Sequence, residues 1–218
     1  MRNKRQPKPT PTERLQGVAV SEIGHTGLHV TGGQVLEELK YELQFPQSIL
    51  TYKQMMYDPV IASALNYYEH MMLKAKFKVK PHILANEEQQ EYATFIQECF
   101  DDMEHSMQDF IQEVSSMNGY GFCVNEIVLR KRLHSKGSKY NDGKVAIRKL
   151  PIRAQDSIYK WEYDDEGNLT KIIQRVPKIG KFGRVLMSHA GEDYELPREK
   201  VLLFRLGKKK DSPVGESP

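Results

Sequence analysis

The feature that most constrains this chain is a change of hydrophobic period along its length. From Val60 to Met72 the residues Val60, Ile61, Ala64, Leu65, Tyr68, Met71 and Met72 recur three and four apart, as one buried face of a helix requires. Asp58 stands before Pro59, the arrangement that starts a helix with a capping side chain and a residue whose missing N–H costs nothing there. A second stripe runs from Asn86 or Ala85 to about Met117 through Tyr92, Phe95, Ile96, Cys99, Phe100, Met103, Met107, Phe110, Ile111 and Val114. That spacing predicts one long helix, with Gly119 or Gly121 as its stop. After Gly121 the spacing drops towards two. Strands are expected at Phe122–Leu129, Val145–Leu150, Ile158–Tyr163, Leu169–Val176, Val185–Met187 and Val201–Leu206, with turns at Asn141-Asp142-Gly143 and at Asp164–Asn168. Helices followed by a meander of strands make an α+β fold, with amphipathic helices packed on a mostly antiparallel sheet.

Two segments near the helices carry further expectations. Gln34 to Glu42 shows a short helical pattern through Val35, Leu36 and Leu39, reaching to Leu43. Between the two main helices Lys74, Lys76, Lys78 and Lys80 alternate with Ala75, Phe77 and Val79 before Pro81. A two-residue period puts all four lysines on one face of a strand, and the proline suits an edge. That face is either simply solvated or a contact for phosphate or an acidic neighbour.

The domain reading follows from composition along the chain. Residues 1–33 are a basic, Pro- and Gly-rich arm, with Arg2, Lys4, Arg5 and Lys8 among Pro7, Pro9 and Pro11, and too few apolar groups to hold themselves in place. Residues 34–207 form the α+β domain, and residues 208–218 read as a linker towards a following element. The net charge is only +3, which hides strong segregation. From Ile83 to Asn118 there are nine acids and no Lys or Arg; from Arg130 to Lys149 there are eight bases and the single acid Asp142. Such a bipolar surface favours head-to-tail contacts, whereas a protein that wraps DNA by neutralising phosphates carries a larger positive excess. The acidic face of Glu98, Asp101, Asp102, Glu104 and Asp109 is expected to approach Arg130, Lys131 and Arg132, in its own sheet or in a neighbour.

No constellation for catalysis or a cofactor emerges. The seven histidines are scattered, and none pairs with another at metal-ligand spacing. Asp101 and Asp102 are adjacent, so they leave a helix in different directions and cannot share a proton as a dyad. Gly180 and Gly183 lack the lysine and spacing of a phosphate loop, and Ser212–Ser217 is no serine elbow. Cys99 and Cys123 lie in apolar patterns and read as buried free thiols in a reducing compartment. No apolar run is long enough for a membrane span. These features point to a structural role, with no enzyme activity, metal or cofactor.

The order of blocks carries a resemblance. Tyr52-Lys-Gln-Met-Met-Tyr-Asp58-Pro-Val-Ile-Ala-Ser-Ala-Leu-Asn-Tyr67, continuing through Lys76-Phe-Lys-Val-Lys-Pro81, resembles the opening of tailed-bacteriophage portal proteins. Phe110 to Val128 is similar to that family's helix, Tyr-Gly turn and strand, and Asp211-Ser-Pro-Val-Gly215-Glu-Ser217 to its Gly-x-Ser turn. The resemblance covers about Phe45 to Pro218 and is to Mu-like portals of long-tailed phages. It implies a homo-oligomeric ring, usually of twelve subunits, at one capsid vertex, through which double-stranded DNA is packaged and ejected. It also implies the major capsid protein, terminase and a head-tail adaptor as partners, assembly in the host cytoplasm, and a place in the virion without a membrane. This chain would supply the wing-side part. The lysine row (Lys74, Lys76, Lys78, Lys80) and the charged set Asp101, Asp102, Arg130, Lys131 and Arg132 are the candidate inter-subunit or DNA-facing residues. A basic nucleic-acid-binding module and another head-tail connector component are the competing readings.

Overall fold

The computed structural model describes residues 26–177, 191–207 and 210–216. Its helices are α1 (Gln47–Met55), α2 (Pro59–Leu73), α3 (Glu87–Asp101), α4 (Met107–Ser115) and the single turn α5 (Met117–Tyr120). Its strands are β1 (Val30–Thr31), β2 (Gln34–Val35), β3 (Phe122–Glu126), β4 (Val128–Lys131), β5 (Val145–Lys149), β6 (Ile152–Arg153), β7 (Ile158–Tyr163), β8 (Leu169–Val176), β9 (Glu192–Pro197) and β10 (Val201–Arg205). All described pairings are antiparallel: β1 with β2, β10–β3–β6, β4 with β5, and β7–β8–β9. The architecture is α+β.

The helix starts follow local chemistry. The Asp58 carboxylate accepts from the N–H groups of Val60 (2.8 Å) and Ile61 (3.3 Å), with Pro59 opening α2. At α3, Asn86 and Gln89 exchange side-chain and backbone bonds in a capping box. The single helix expected to reach Met117 is divided. α3 ends at Asp101, Asp102 turns inward, and Ser106 opens α4 with its own capping box to Asp109. The expected stripes are not continuous buried faces. Cys99, Ile111 and Val114 are buried, but Tyr92 and Ile96 are exposed; in α2 Val60, Tyr68 and Met71 are exposed and no residue is buried. Period records a helix, and what covers its apolar side is a matter of tertiary packing. Gly121, at φ 82°, stops α5, and its N–H donates to the Met117 carbonyl at 2.8 Å.

Two expected elements are corrected. Gln34–Glu42 is no helix: β2 pairs back on β1 through Gly32 and Gly33, both at positive φ, and a short 3-10 turn follows at Tyr41–Leu43. That geometry buries Val35 and leaves Leu39 fully exposed, so the two do not share a buried face. Nor is Lys74–Lys80 a strand. Lys74 still belongs to the helical end of α2, and residues 75–82 carry no helix or strand and have no ladder partner among the described residues. The Val79 N–H donates to Gln97 Oε1 at 3.0 Å in place of a neighbouring strand. The continuous strand expected over Phe122–Leu129 splits near Ile127, β3 joining β10 while β4 joins β5. β7 and β8 fall where expected, β9 and β6 were missed, and Val185–Met187 lies outside the described residues.

The core lies where the sheets meet the segment before α1. Phe45, Phe122 and Trp161 form an aromatic triad with ring centroids 5.4–6.0 Å apart, joined by Val35, Ile49, Ile158, Ile172 and Val201. Leu28 and Val30 pack against this cluster, and the Trp161 N–H donates to the Gly33 carbonyl at 2.8 Å. The end of the segment expected to be an arm is therefore bound to the domain. Residues 210–216 behave similarly: the Glu216 N–H donates to the Leu206 carbonyl at 2.7 Å, Ser212 is buried, and Val214 packs on the core.

Candidate functional site

The alternation of β4 sets the charged site. Arg130 is turned inward and Lys131 outward, and Arg132, just beyond the strand, is inward again. The two inward guanidiniums meet the end of α3. Asp102, only 2 % exposed, accepts from the Ser138 hydroxyl (2.7 Å), the Lys139 N–H (2.7 Å) and Arg130 Nη2 (3.1 Å). Burial on its own would raise the Asp102 carboxyl. The Lys139 N–H, the Ser138 hydroxyl and the Arg130 guanidinium outweigh that effect and hold its pKa below the ordinary value. The Arg130 guanidinium also donates to the Asp102 main-chain carbonyl, which fixes the turn after α3.

Arg132 is buried just as deeply. It pairs with Glu98 at 2.7 Å and Asp142 at 3.4 Å, and its guanidinium lies 3.9 Å from the Tyr140 ring centroid and 4.9 Å from that of Phe95. An arginine sandwiched between aromatic faces keeps its charge while losing water, as its delocalised and weakly hydrated head allows. Glu104 completes the set, 2.6 Å from Arg148 and 3.7 Å from Arg130. The acidic end of α3 and the basic β4–β5 hairpin therefore neutralise each other inside one subunit. Asp102, Arg130 and Arg132 hold the fold together, and their charges are spent on contacts within the chain.

The side chains of the other singled-out residues stand apart from this network, although the Asp101 main-chain carbonyl accepts from Lys139 Nζ. Asp101 is exposed, its carboxylate accepting from the Gln97 side chain at 3.2 Å, and Lys131 faces outward. Lys74, Lys76, Lys78 and Lys80 are all exposed, and none has a carboxylate within 4.0 Å among the described residues. Lys208 and Lys209 lie outside the described residues, while Lys210 pairs with Glu37 at 2.7 Å.

Sequence reasoning missed a buried polar seam beside the core. Glu113 accepts from the Ile152 N–H (2.9 Å) and from Asn125 Nδ2 (3.4 Å), which also donates to the Leu150 carbonyl at 3.0 Å. Gln155 donates to Ser116 Oγ (2.7 Å) and to the Phe122 carbonyl (3.1 Å). The visible signal was Asn125 itself, an amide in an otherwise apolar strand, which needs a partner once buried. The seam ties α4 to β3 and β6 and carries no chemistry of its own. Among the described residues no group of His, Cys, Asp and Glu is placed to hold a metal ion, and no helix is long and apolar enough to cross a membrane.

The surface is thus one of packing and charge. A family model described as the portal protein of Mu bacteriophage matches residues 49–218, from within α1 to beyond the turn that follows β10. No curated protein sequence matches the chain. With the match spanning most of its length, the chain belongs to the family of portal proteins of Mu bacteriophage.

Proposed function

We propose that this chain is the wing-side part of a portal subunit, which assembles with copies of itself into a ring at one capsid vertex. Double-stranded DNA passes through that ring during packaging and ejection, and the tail or a connector attaches to it. The observation that carries the reading is the family match over residues 49–218, joined to an α+β domain whose charges are largely matched within the subunit. A firm core and helices with exposed apolar residues suit a role in architecture, and a head-to-tail ring would join two different surfaces of such a subunit. Twelve subunits, and the major capsid protein, terminase and a head-tail adaptor as partners, complete the proposal.

Negative-stain imaging of the full chain tests it. Rings with a central hole are expected, and a monodisperse monomer at micromolar concentration refutes it. The four exposed lysines, which have no carboxylate partner among the described residues, favour a second reading, a nucleic-acid-binding module. That reading requires DNA affinity in the isolated monomer, falling steeply with salt as counterions are released. The portal reading requires little.

A further inference from the structure

Helix α2 carries two adjoining apolar stripes, and the subunit covers neither fully. Ile61, Leu65 and Met72 are half-buried, with Asn118 Nδ2 3.6 Å from the Met72 sulfur. Val60, Ala64, Tyr67, Tyr68 and Met71 recur at helical spacing beside them, and all five are exposed. Together the stripes span ~160° of the helix, where ~100° is enough for a helix lying on a core. Tyr67 and Tyr68 are 66 % and 57 % exposed, which at ~200 Å² per aromatic side chain leaves about 250 Å² open on two residues. Met55 of α1 lines a small groove with Ala64 and Tyr68, so the apolar face runs on from α2 to α1. With Val60 and Met71 added, the face supplies a good part of the ~800 Å² that one partner gives a standard interface.

A second surface is concave and equally apolar. Phe77, Phe100, Met103, Met107, Phe110 and Phe204 line a groove of about 730 Å³, where the segment before α3, the α3–α4 loop and β10 come together. Its walls are held in place: the Val79 N–H donates to Gln97 Oε1 at 3.0 Å, and Phe204 meets Phe110 edge-on with ring centroids 6.0 Å apart. The volume lies within the ~300–1,000 Å³ of sites built to hold something. We propose that the exposed stripe of α2 in one copy of this chain seats in this groove of the next copy. The stripe carries no charge, and α2 has no Lys or Arg at all. Phosphate gains nothing from such a face, and a helix that lies on a membrane carries basic residues beside its apolar ones. The groove does match it, because flexible methionines adapt to aromatic rings and their sulfur favours ring edges. Stripe and groove share no residue, so each copy gives one surface and receives with the other, as a head-to-tail ring needs. The contact rests on the reading of the chain as a ring-forming portal subunit and names the surfaces it would use.

The test uses the full chain. Y67K/M71K places charge on the stripe and M103E/M107E places it in the groove; none of the four positions is buried, and both variants keep the circular dichroism spectrum. Each lowers the assembled fraction at least ~tenfold. An equimolar mixture of the two gives pairs and nothing larger, because only the intact stripe of one and the intact groove of the other still fit. Otherwise wild-type chain with p-benzoylphenylalanine in place of Tyr67, mixed from isotope-labelled and unlabelled protein, gives mixed-isotope cross-links to Met103 or Met107 on illumination. That cross-link reads the contact even where a variant loses its spectrum. Rings that form normally in both variants, without the cross-links, overturn the contact and leave the ring reading standing. Cross-links from position 67 to α2 of another copy mean that the stripe pairs with itself, and they also overturn the contact. Wild-type assemblies that stop at two copies while giving the Met103 or Met107 cross-links support the contact and overturn the ring.

Discussion

Replacing Asp102 by alanine probes the joint between the helices and the β4–β5 hairpin. The carboxylate is buried and takes three hydrogen bonds, from Ser138 Oγ, Lys139 N–H and Arg130 Nη2 at 2.7, 2.7 and 3.1 Å. In Asp102→Ala the Arg130 guanidinium, whose side chain is 6 % exposed, loses its buried carboxylate and keeps the main-chain carbonyls of residues 102 and 136 and the 3.7 Å contact with Glu104. Breaking one side of a buried pair typically costs ~3–5 kcal/mol, because the remaining charge stays out of water without its partner. For a chain of this size each kcal/mol lowers Tm by about 2–4 °C, so a fall on the order of 10 °C is expected. Thermal melts followed by circular dichroism measure the fall in Tm, and urea unfolding measures the loss in kcal/mol. Arg130→Met supplies the second arm of a double-mutant cycle, in which Asp102 loses one donor but keeps two. The double variant should be less destabilised than the sum of the singles, by roughly 2 kcal/mol. A loss below about 1 kcal/mol for Asp102→Ala, or additive singles, would show that the buried pair does not hold the joint together.

The same carboxylate makes stability depend on acid. Its folded pKa lies below the ordinary 3.8, so its contribution is complete above that value and disappears as pH falls through the folded pKa. The stability gap between wild type and Asp102→Asn should hold steady from neutral pH to about pH 5 and narrow below the unfolded carboxyl value; a gap that widens on acidification contradicts the sign. A further prediction concerns Gly121, where φ is 82° and an added Cβ would sit 2.5 Å from the Gly215 carbonyl oxygen. Gly121→Ala should cost more than ~2 kcal/mol, while Gly137→Ala, with φ 75° but only the Arg130 guanidinium at 3.7 Å, should cost about 1 kcal/mol. Equal losses at the two sites in thermal melts would leave the close approach of the C-terminal turn without energetic weight.

Much of the fold was written in short-range signals. Asp58-Pro59 and Asn86 opened their helices where expected, since a cap needs only its own first turn. Ile158–Tyr163 and Leu169–Val176 appeared as a hairpin because the Asp164–Asn168 turn lies between two runs of alternating apolar residues. The acidic and basic blocks were equally plain as blocks. Their meaning was not. Adjacency in sequence says nothing about whether Arg130 meets Asp102 or a neighbouring subunit, and the contact spans 28 positions.

The sequence by itself determined the α+β class, the helix starts and the segregation of charge, because each depends on period, on a capping side chain or on residue type within a few positions. Only the tertiary structure decided that the long apolar stripe is two helices, that Asp102, Arg130 and Arg132 are consumed inside the subunit, and that the lysine row has no carboxylate partner among the described residues. Those outcomes depend on which groups meet across the core. At the end of α3 the Asp102 carboxylate finds its partners in the 138–139 loop and in Arg130, all far from it in sequence. Lys74–Lys80 forms no strand: Lys74 belongs to the end of α2, and the Val79 N–H goes to the Gln97 side chain instead of a ladder partner.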